Sequence, residues 1–226
     1  MATIDMNTVK AENQLGGKPK VAFECEDGKG KRVLFVGNSI TRHRPKSEIG
    51  WFNDWGMAAS SKDKDYVHLV KKMVLDKEPD AAFCICQAAE WEQNYKTGEA
   101  YHYMFSEARD FNADIIVLRI IENCLIRTFD EKIFDKEYRK FLEYLNKDNK
   151  AKIIITTSFW DHPGDEKLKN IADDFKCDYI YLGDLGEDET MRAYGLFENS
   201  GVAGHPGDKG MEHIATRIFE KLKKYL

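Results

Sequence analysis

The stretch KRVLFVGNSIT, residues 31 to 41, decides the fold class of this chain. Residues 33 to 36 form an unbroken apolar run, which is typical of a strand that is covered on both faces of a sheet. A glycine then permits a sharp turn, and Asn38 and Ser39 follow at the predicted carboxyl end of the strand. Ligands bind at this edge of open α/β sheets, so a hydroxyl group here is well placed to act as a nucleophile. The alternative is a turn in which Ser39 or Asn38 only caps the next helix.

Length and charge narrow the classes of function. The 226 residues suffice for one large domain with a hydrophobic core. A net charge of −5 with intermixed acidic and basic residues leaves no electrostatic footprint for nucleic acid, and no window holds the roughly 18 apolar residues that cross a membrane. The amino terminus has no apolar signal core. We therefore expect no nucleic-acid or membrane partner. We also expect a cytoplasmic location, or a secreted or periplasmic one if a signal segment has been removed. The sequence leaves the oligomeric state open.

Strand and helix patterns alternate after the first strand. Buried strands are predicted at residues 32–36, 81–87, 114–121, 152–157 and 177–182, and helices at 65–77, 99–111, 133–145, 165–175 and 208–225. This alternation predicts a parallel, doubly wound sheet in one domain over residues 31–226. We expect residues 1–30 to form a tail or an arm that covers a sheet edge, with a short strand at residues 21–25.

Polar residues follow two strands that adjoin the predicted ligand site. In a sheet of order 2-1-3-4-5, the strand order reverses between the first and third strands, which end at Ser39 and Asn123. A hydrolytic serine needs a base and donors for the oxyanion, and the Asn123 amide and the Ser39 backbone N–H are candidate donors. His205 precedes the last helix at the same edge and is the candidate base. An ordinary histidine pKa of about 6.5 predicts that activity falls near that pH on acidification.

These segments resemble the SGNH, or GDSL, hydrolase family. The resemblance rests on residues 37–41 (GNSIT), on Asn123 after the third strand and on His205-Pro206, and it covers about residues 31–226. It implies a three-layer α/β/α, flavodoxin-like fold with a five-stranded parallel sheet. It also implies serine-dependent hydrolysis of carboxylic esters without a metal or cofactor. By position, Ser39 matches the nucleophile, Asn123 the oxyanion donor and His205 the general base.

Three positions depart from the family pattern. Asn38 stands where the family usually has Asp. The oxyanion glycine after the second strand has no match, so the backbone N–H of Ala88 or Ala89 is the expected donor. Val202 stands where the family has the Asp that orients the histidine, so we expect a backbone carbonyl near Val202 to complete a Ser–His dyad. The less favoured substitutes are two carboxylates after the third and fourth strands, Glu122 and Asp161.

Four side chains near the strand ends are candidates for the substrate pocket: Asn38, Arg119, Glu122 and Trp160. Arg119 and Glu122 form either an ion pair that holds Asn123 in place, which we favour, or a contact with a polar substrate. Trp160 suits either a platform for a sugar or acyl group or a cover for the end of the sheet. The expected substrate is a small-molecule or carbohydrate ester with a short acyl group such as acetyl.

Metal binding and nucleotide binding are the first alternatives to ester hydrolysis. A metal site would draw on His162, Asp161, His205 and His213, but the HExxH and CxxC patterns are missing. The opening strand lacks both GxGxxG and the P-loop lysine of nucleotide-binding proteins. We therefore expect no metal and no cofactor. Two alternatives stay open: a non-catalytic binding or scaffold protein on the same fold, and an acyltransferase that uses the same serine.

Overall fold

A central sheet organises the computed structural model, which describes residues 20–226. Its strands are β1 (Val21–Glu24), β2 (Arg32–Gly37), β3 (Ala82–Gln87), β4 (Ile115–Arg119), β5 (Lys152–Thr156) and β6 (Asp178–Ile180). They lie in the order β1-β3-β2-β4-β5-β6. Strands β2 to β6 are parallel, which confirms the predicted order of the five parallel strands. β1 adds a sixth strand, antiparallel to β3 at the sheet edge. The part of the predicted tail or arm at residues 1–19 lies outside the described residues.

Helices cover both faces of this sheet. They are α1 (Tyr66–Leu75), α2 (Ala89–Gln93), α3 (Ser106–Asp110), α4 (Glu131–Leu145), α5 (Asp165–Phe175), α6 (Gly183–Glu187), α7 (Ser200–Ala203) and α8 (Asp208–Leu222). Alternate residues of β2 point to opposite faces. Val33 and Phe35 join one core with α1 and α8, and Leu34 and Val36 join a second core with α4 and α5. The central strand is therefore buried on both faces, as its apolar run predicts.

The predicted helix at residues 99–111 is wrong over most of its length. A 3-10 helix runs from Tyr95 to Phe105, with non-helical φ and ψ at Thr97, and only α3 is α-helical. Just before the predicted helix, the chain passes close to the Trp91 ring, since a Cβ atom at Gly98 would lie 2.9 Å from Nε1 of the indole.

The turn after β2 depends on a glycine. A Cβ atom at Gly37 would lie 1.8 Å from the Thr41 hydroxyl oxygen, so the chain can fold back here only without a side chain. The backbone N–H groups of Thr41 and Arg42 donate to the Asn38 carbonyl at 3.0 Å. This tight turn leaves Ser39 partly exposed at the carboxyl edge of the sheet.

Two kinds of feature are missing from the part of the chain that the structure describes. No helix within residues 20–226 is long and apolar enough to span a bilayer. Within the same residues, no group of three or more His, Cys, Asp and Glu side chains is arranged to hold a metal ion. The candidate ligand His162 instead uses both ring nitrogens in local bonds, to the Cys124 carbonyl and the Gly164 N–H.

Candidate active site

Ser39 and His205 meet at the carboxyl edge of the sheet, although 166 positions separate them in sequence. The Ser39 Oγ atom lies 2.8 Å from the His205 Nε2 atom. Ser39 is held by the turn after β2, and its carbonyl also accepts a hydrogen bond from the Met57 N–H at 2.8 Å. The hydroxyl and the imidazole are therefore within hydrogen-bond reach, as a nucleophile and its base must be.

A backbone carbonyl orients the imidazole. The His205 Nδ1 atom lies 2.7 Å from the Gly201 carbonyl oxygen, which can only accept a hydrogen bond. Nδ1 therefore carries the proton in the neutral ring, and Nε2 presents its lone pair to the Ser39 hydroxyl. The two carboxylates considered as substitutes do not fill this role. Glu122 pairs with Arg119, and Asp161 is exposed to solvent.

Val202 lies in a small apolar cluster and not against the imidazole. Its side chain is 1% exposed and packs with Trp51, Met57, Ala58 and Ala193. Asn199 caps the short helix α7 by accepting from the Val202 N–H at 3.1 Å, and the His205 N–H then donates to the Val202 carbonyl. These bonds set the loop that carries His205.

The indole of Trp160 packs against the imidazole. The two ring centroids are 5.1 Å apart and nearly perpendicular. The Trp160 Nε1–H group donates to the Gly204 carbonyl at 3.2 Å, which links the ring to the residue before His205. Burial of the imidazole lowers the pKa of His205 to about 4. The imidazole is therefore neutral over the physiological range.

Of the two alanines considered as oxyanion donors, only Ala89 has a free backbone N–H. The Ala88 N–H donates to the Gly37 carbonyl at 2.6 Å, so it is occupied and the expectation for Ala88 is corrected. The N–H groups of Ala89 and Ser39 have no acceptor among the described residues. Ala89 is the first residue of α2, where helix N–H groups lack partners within the helix.

A fully buried carboxylate, Glu92 of α2, bonds to the turn that carries Ser39. Its Oε1 atom accepts from the Asn38 side-chain nitrogen at 3.0 Å and from the Ile121 N–H at 2.5 Å. Its Oε2 atom accepts from the Asn123 side-chain nitrogen at 2.6 Å. Glu92 thus connects the turn that holds Ser39 to the segment after β4 that holds Asn123.

A second carboxylate, Glu122, completes this buried network. It accepts from the Asn38 nitrogen at 2.6 Å and from the Phe159 N–H at 3.0 Å, and it forms an ion pair with Arg119. The Arg119 guanidinium also donates to the Asn38 Oδ1 atom at 3.3 Å. Asn38 and Arg119 are both 0% exposed. The expectation that these two side chains line the substrate pocket is therefore corrected, because both lie under the site.

The network holds two carboxylates, and the Arg119 guanidinium pairs with Glu122 alone among them. Burial, and then the negative charge of Glu122, raise the pKa of Glu92 to about 7. Asn38 explains how the carboxylates approach each other, because its amide nitrogen donates one hydrogen bond to each. An Asp at this position would have no N–H to offer either carboxylate.

Comparison with known proteins places this arrangement on a known fold. No protein-family model matches the chain, and no curated protein sequence matches it. The esterase EstA from Pseudoalteromonas sp., solved with monoethylphosphonate as inhibitor, is similar at a TM-score of 0.57 and 13% identity, over 86% of this chain and 98% of that chain. A family two carbohydrate esterase from Clostridium thermocellum is similar at a TM-score of 0.58 and 14% identity, over 87% of this chain and 65% of that chain. The chain has the flavodoxin-like α/β/α fold that these SGNH-type esterases share.

A third solved structure of this fold comes from a different enzyme class. It is the salicylyl-acyltransferase SsfX3 from a tetracycline biosynthetic pathway. The TM-score is 0.53 at 16% identity, and the alignment covers 87% of this chain and 55% of that chain. The SGNH fold is thus common to hydrolases and an acyltransferase among these structures.

An open groove of about 890 Å³ begins at the Asn123 side of the SGNH fold. Its walls include Glu122 and Asn123 and continue along Leu125 and Ile126, which are 70% and 60% exposed. The groove therefore joins the candidate oxyanion donor to an apolar surface that is large enough for part of an ester.

Sequence reasoning missed Glu92, which is the centre of the polar network on this SGNH fold. Glu90 and Glu92 both lie in the segment AEWEQ, and nothing in their spacing separates them. In the structure, Glu90 forms an ion pair with Lys20 near the surface, while Glu92 is fully buried. The short helix α2 is responsible, because it packs under the segment after β4.

Proposed function

We propose that this protein is a serine hydrolase that cleaves carboxylic esters with short acyl groups such as acetyl, with carbohydrate esters as one substrate class. The observation that carries the proposal is the 2.8 Å contact between Ser39 Oγ and His205 Nε2, together with the Gly201 carbonyl on Nδ1. Carbohydrate esters are included because a carbohydrate esterase is among the similar structures.

The first half of the reaction forms an acyl-enzyme. The Ser39 oxygen attacks the ester carbonyl carbon while His205 Nε2 takes the hydroxyl proton. The carbonyl oxygen becomes an oxyanion, which the N–H groups of Ser39 and Ala89 and the Asn123 amide stabilise, each worth about 3 kcal/mol. The bond to the alcohol then breaks, and His205 returns its proton to the leaving oxygen.

The second half of the reaction releases the acid. Water enters the place of the alcohol, and His205 Nε2 takes one of its protons as the water oxygen attacks the acyl carbon. The same donors hold the second oxyanion, and the Ser39 oxygen leaves with the proton from His205. The Gly201 carbonyl supports the positive imidazole in both halves through its bond to Nδ1.

Hydrolysis of 4-nitrophenyl acetate and of an acetylated oligosaccharide by the purified full chain tests this proposal. We expect Ser39→Ala to lower kcat by at least about 10³-fold, because the covalent step is lost. Ser106→Ala at the start of α3 is a matched serine control and should keep full activity. Equal rates for the wild type and Ser39→Ala would instead favour a non-catalytic binding or scaffold protein.

Acyl transfer is a second candidate, favoured by the similarity to a salicylyl-acyltransferase. The same acyl-enzyme would form, but an acceptor hydroxyl would replace water in the second half. Adding a sugar or alcohol acceptor and separating the products by mass spectrometry distinguishes the two. Transfer product in excess of free acid would make the protein an acyltransferase.

A further inference from the structure

One buried carboxylate connects the nucleophile turn to the proposed oxyanion donor. Glu92 accepts hydrogen bonds from the side-chain nitrogens of Asn38 and Asn123 and from the Ile121 N–H. Within residues 20–226, its carboxylate makes no hydrogen bond to Ser39 or to a groove-lining residue beyond Asn123. The carboxylate therefore acts on the reaction through these three partners.

An ionised carboxylate determines which end of an amide faces it. Because it can only accept hydrogen bonds, it binds the nitrogen end of the Asn123 amide and repels the oxygen end. One N–H of Asn123 donates to Glu92 at 2.6 Å. The second N–H has no acceptor among the described residues and is free to bind an oxyanion.

We propose that Glu92 is a positioning residue whose ionised carboxylate holds the Asn123 amide with its nitrogen towards the reaction centre. The proposal rests on the proposed function, since the amide acts as a donor only when Ser39 attacks an ester. Loss of the negative charge removes the preference, because a neutral Glu92 offers both an O–H donor and an acceptor oxygen and can bind either end of the Asn123 amide.

The groups that face Glu92 set the pH at which its charge is lost. Glu122 and Arg119 lie across Asn38, Cys124 donates its thiol to the Glu92 carbonyl, and the buried Tyr138 lies on α4. Burial and the charge of Glu122 raise the pKa of Glu92 to about 7. The ionised fraction grows as pH rises through this value, so kcat should rise with it.

Steady-state kinetics of the wild type across pH test the proposal without any substitution. We expect kcat to show a step near pH 7, higher on the alkaline side, and the step to be missing in Asn123→Ala because the amide is gone. A wild type without the step, or an Asn123→Ala variant that keeps it, overturns the proposal.

Glu92→Gln provides the matched substitution, since it keeps the shape of the side chain and removes the charge. We expect kcat at pH 8 to fall by about 10- to 100-fold with little change in KM, and the neutral step to vanish. In the Asn123→Ala background the same substitution should change kcat by less than about twofold. Equal kcat and pH profiles for the wild type and a folded Glu92→Gln overturn the proposal.

Glu137→Gln is the control for removing a buried carboxylate. Glu137 lies on α4, is 6% exposed and pairs with lysines rather than with the site. We expect this variant to keep the wild-type pH profile, and thermal unfolding of each variant shows whether it is folded. Activity that does not depend on Ser39 would contradict the proposed function. Ser39-dependent activity that is unchanged in Glu92→Gln would contradict only the role proposed for Glu92.

Discussion

The Nδ1 atom of His205 lies 2.7 Å from the Gly201 carbonyl oxygen, in the same loop. A neutral carbonyl thus fills the position at which many serine hydrolases have a carboxylate. The carbonyl fixes the tautomer of the ring as a carboxylate does, but it brings no negative charge to stabilise the imidazolium.

An Asp at position 202, where SGNH hydrolases carry one, should not raise the proposed activity. The Val202 side chain is buried among Trp51, Met57, Ala58 and Ala193, and the imidazole already has its partner. We expect Val202→Asp to lower the free energy of unfolding by about 3 kcal/mol or more, because it buries an unpaired charge, and to leave kcat no higher. Urea unfolding and esterase assays measure both effects, and Val202→Ala reports the packing loss alone. A rise in kcat for Val202→Asp would mean that the carboxylate reaches His205.

An Asp at position 38, where SGNH hydrolases usually carry one, should destabilise the protein. The Asn38 nitrogen donates to Glu92 at 3.0 Å and to Glu122 at 2.6 Å. Asn38→Asp would place a third carboxylate against these two, and we expect a loss of about 3 kcal/mol or more in unfolding free energy. Asn146→Asp is the control, because the Asn146 oxygen already accepts two backbone N–H bonds that an Asp can keep. An unchanged urea midpoint for Asn38→Asp would contradict the network described above.

The acid limit of activity should lie well below an ordinary histidine pKa. His205 must be neutral to take the Ser39 proton, and burial lowers its pKa to about 4. Below the step proposed for Glu92 near pH 7, the remaining activity should therefore persist under pH 6.5 and be lost only as pH falls through about 4, in place of the limit near 6.5 expected from an ordinary histidine. The unfolded chain binds this proton more readily than the folded chain, so His205 also makes stability fall as pH drops from about 6.5 towards 4. A kcat/KM profile with complete loss already at pH 6 would contradict this assignment.

Trp160 should matter through the position of His205. Its ring packs against the imidazole, and its N–H donates to the Gly204 carbonyl. We expect Trp160→Ala to lower kcat by roughly 10- to 100-fold, because a misplaced base loses alignment with Ser39. Trp160→Phe keeps most of the packing and should lose much less. Kinetics of both variants decide the point, and equal losses would show that the hydrogen bond to Gly204 matters more than the packing.

Topology made much of the site predictable from sequence. Apolar runs identify the parallel strands, and such strands end at a common edge, so Ser39, Asn123 and the loop before the last helix were expected there. The strand order is confirmed. The helical period at residues 99–111 was misleading, because apolar spacing alone does not separate the α-helix from the 3-10 helix that runs through Phe105.

Other parts of the site have no signal in a single sequence. The partner of His205 is a backbone carbonyl, and every residue carries one, so residue type cannot point to Gly201. Ala88 and Ala89 are identical in residue type, yet the backbone N–H of Ala88 donates to Gly37 and that of Ala89 has no acceptor among the described residues. The buried Glu92 and the surface Glu90 are two positions apart, and only the packing of α2 separates their roles.

Mass spectrometry of the intact protein and of its peptides, after treatment with a serine-reactive phosphonate, decides whether Ser39 is the nucleophile. We expect one adduct per chain, on the peptide that contains Ser39, with rapid labelling of the wild type and far slower labelling of His205→Gln. Labelling of another residue, or no adduct on a folded chain, would contradict that role for Ser39.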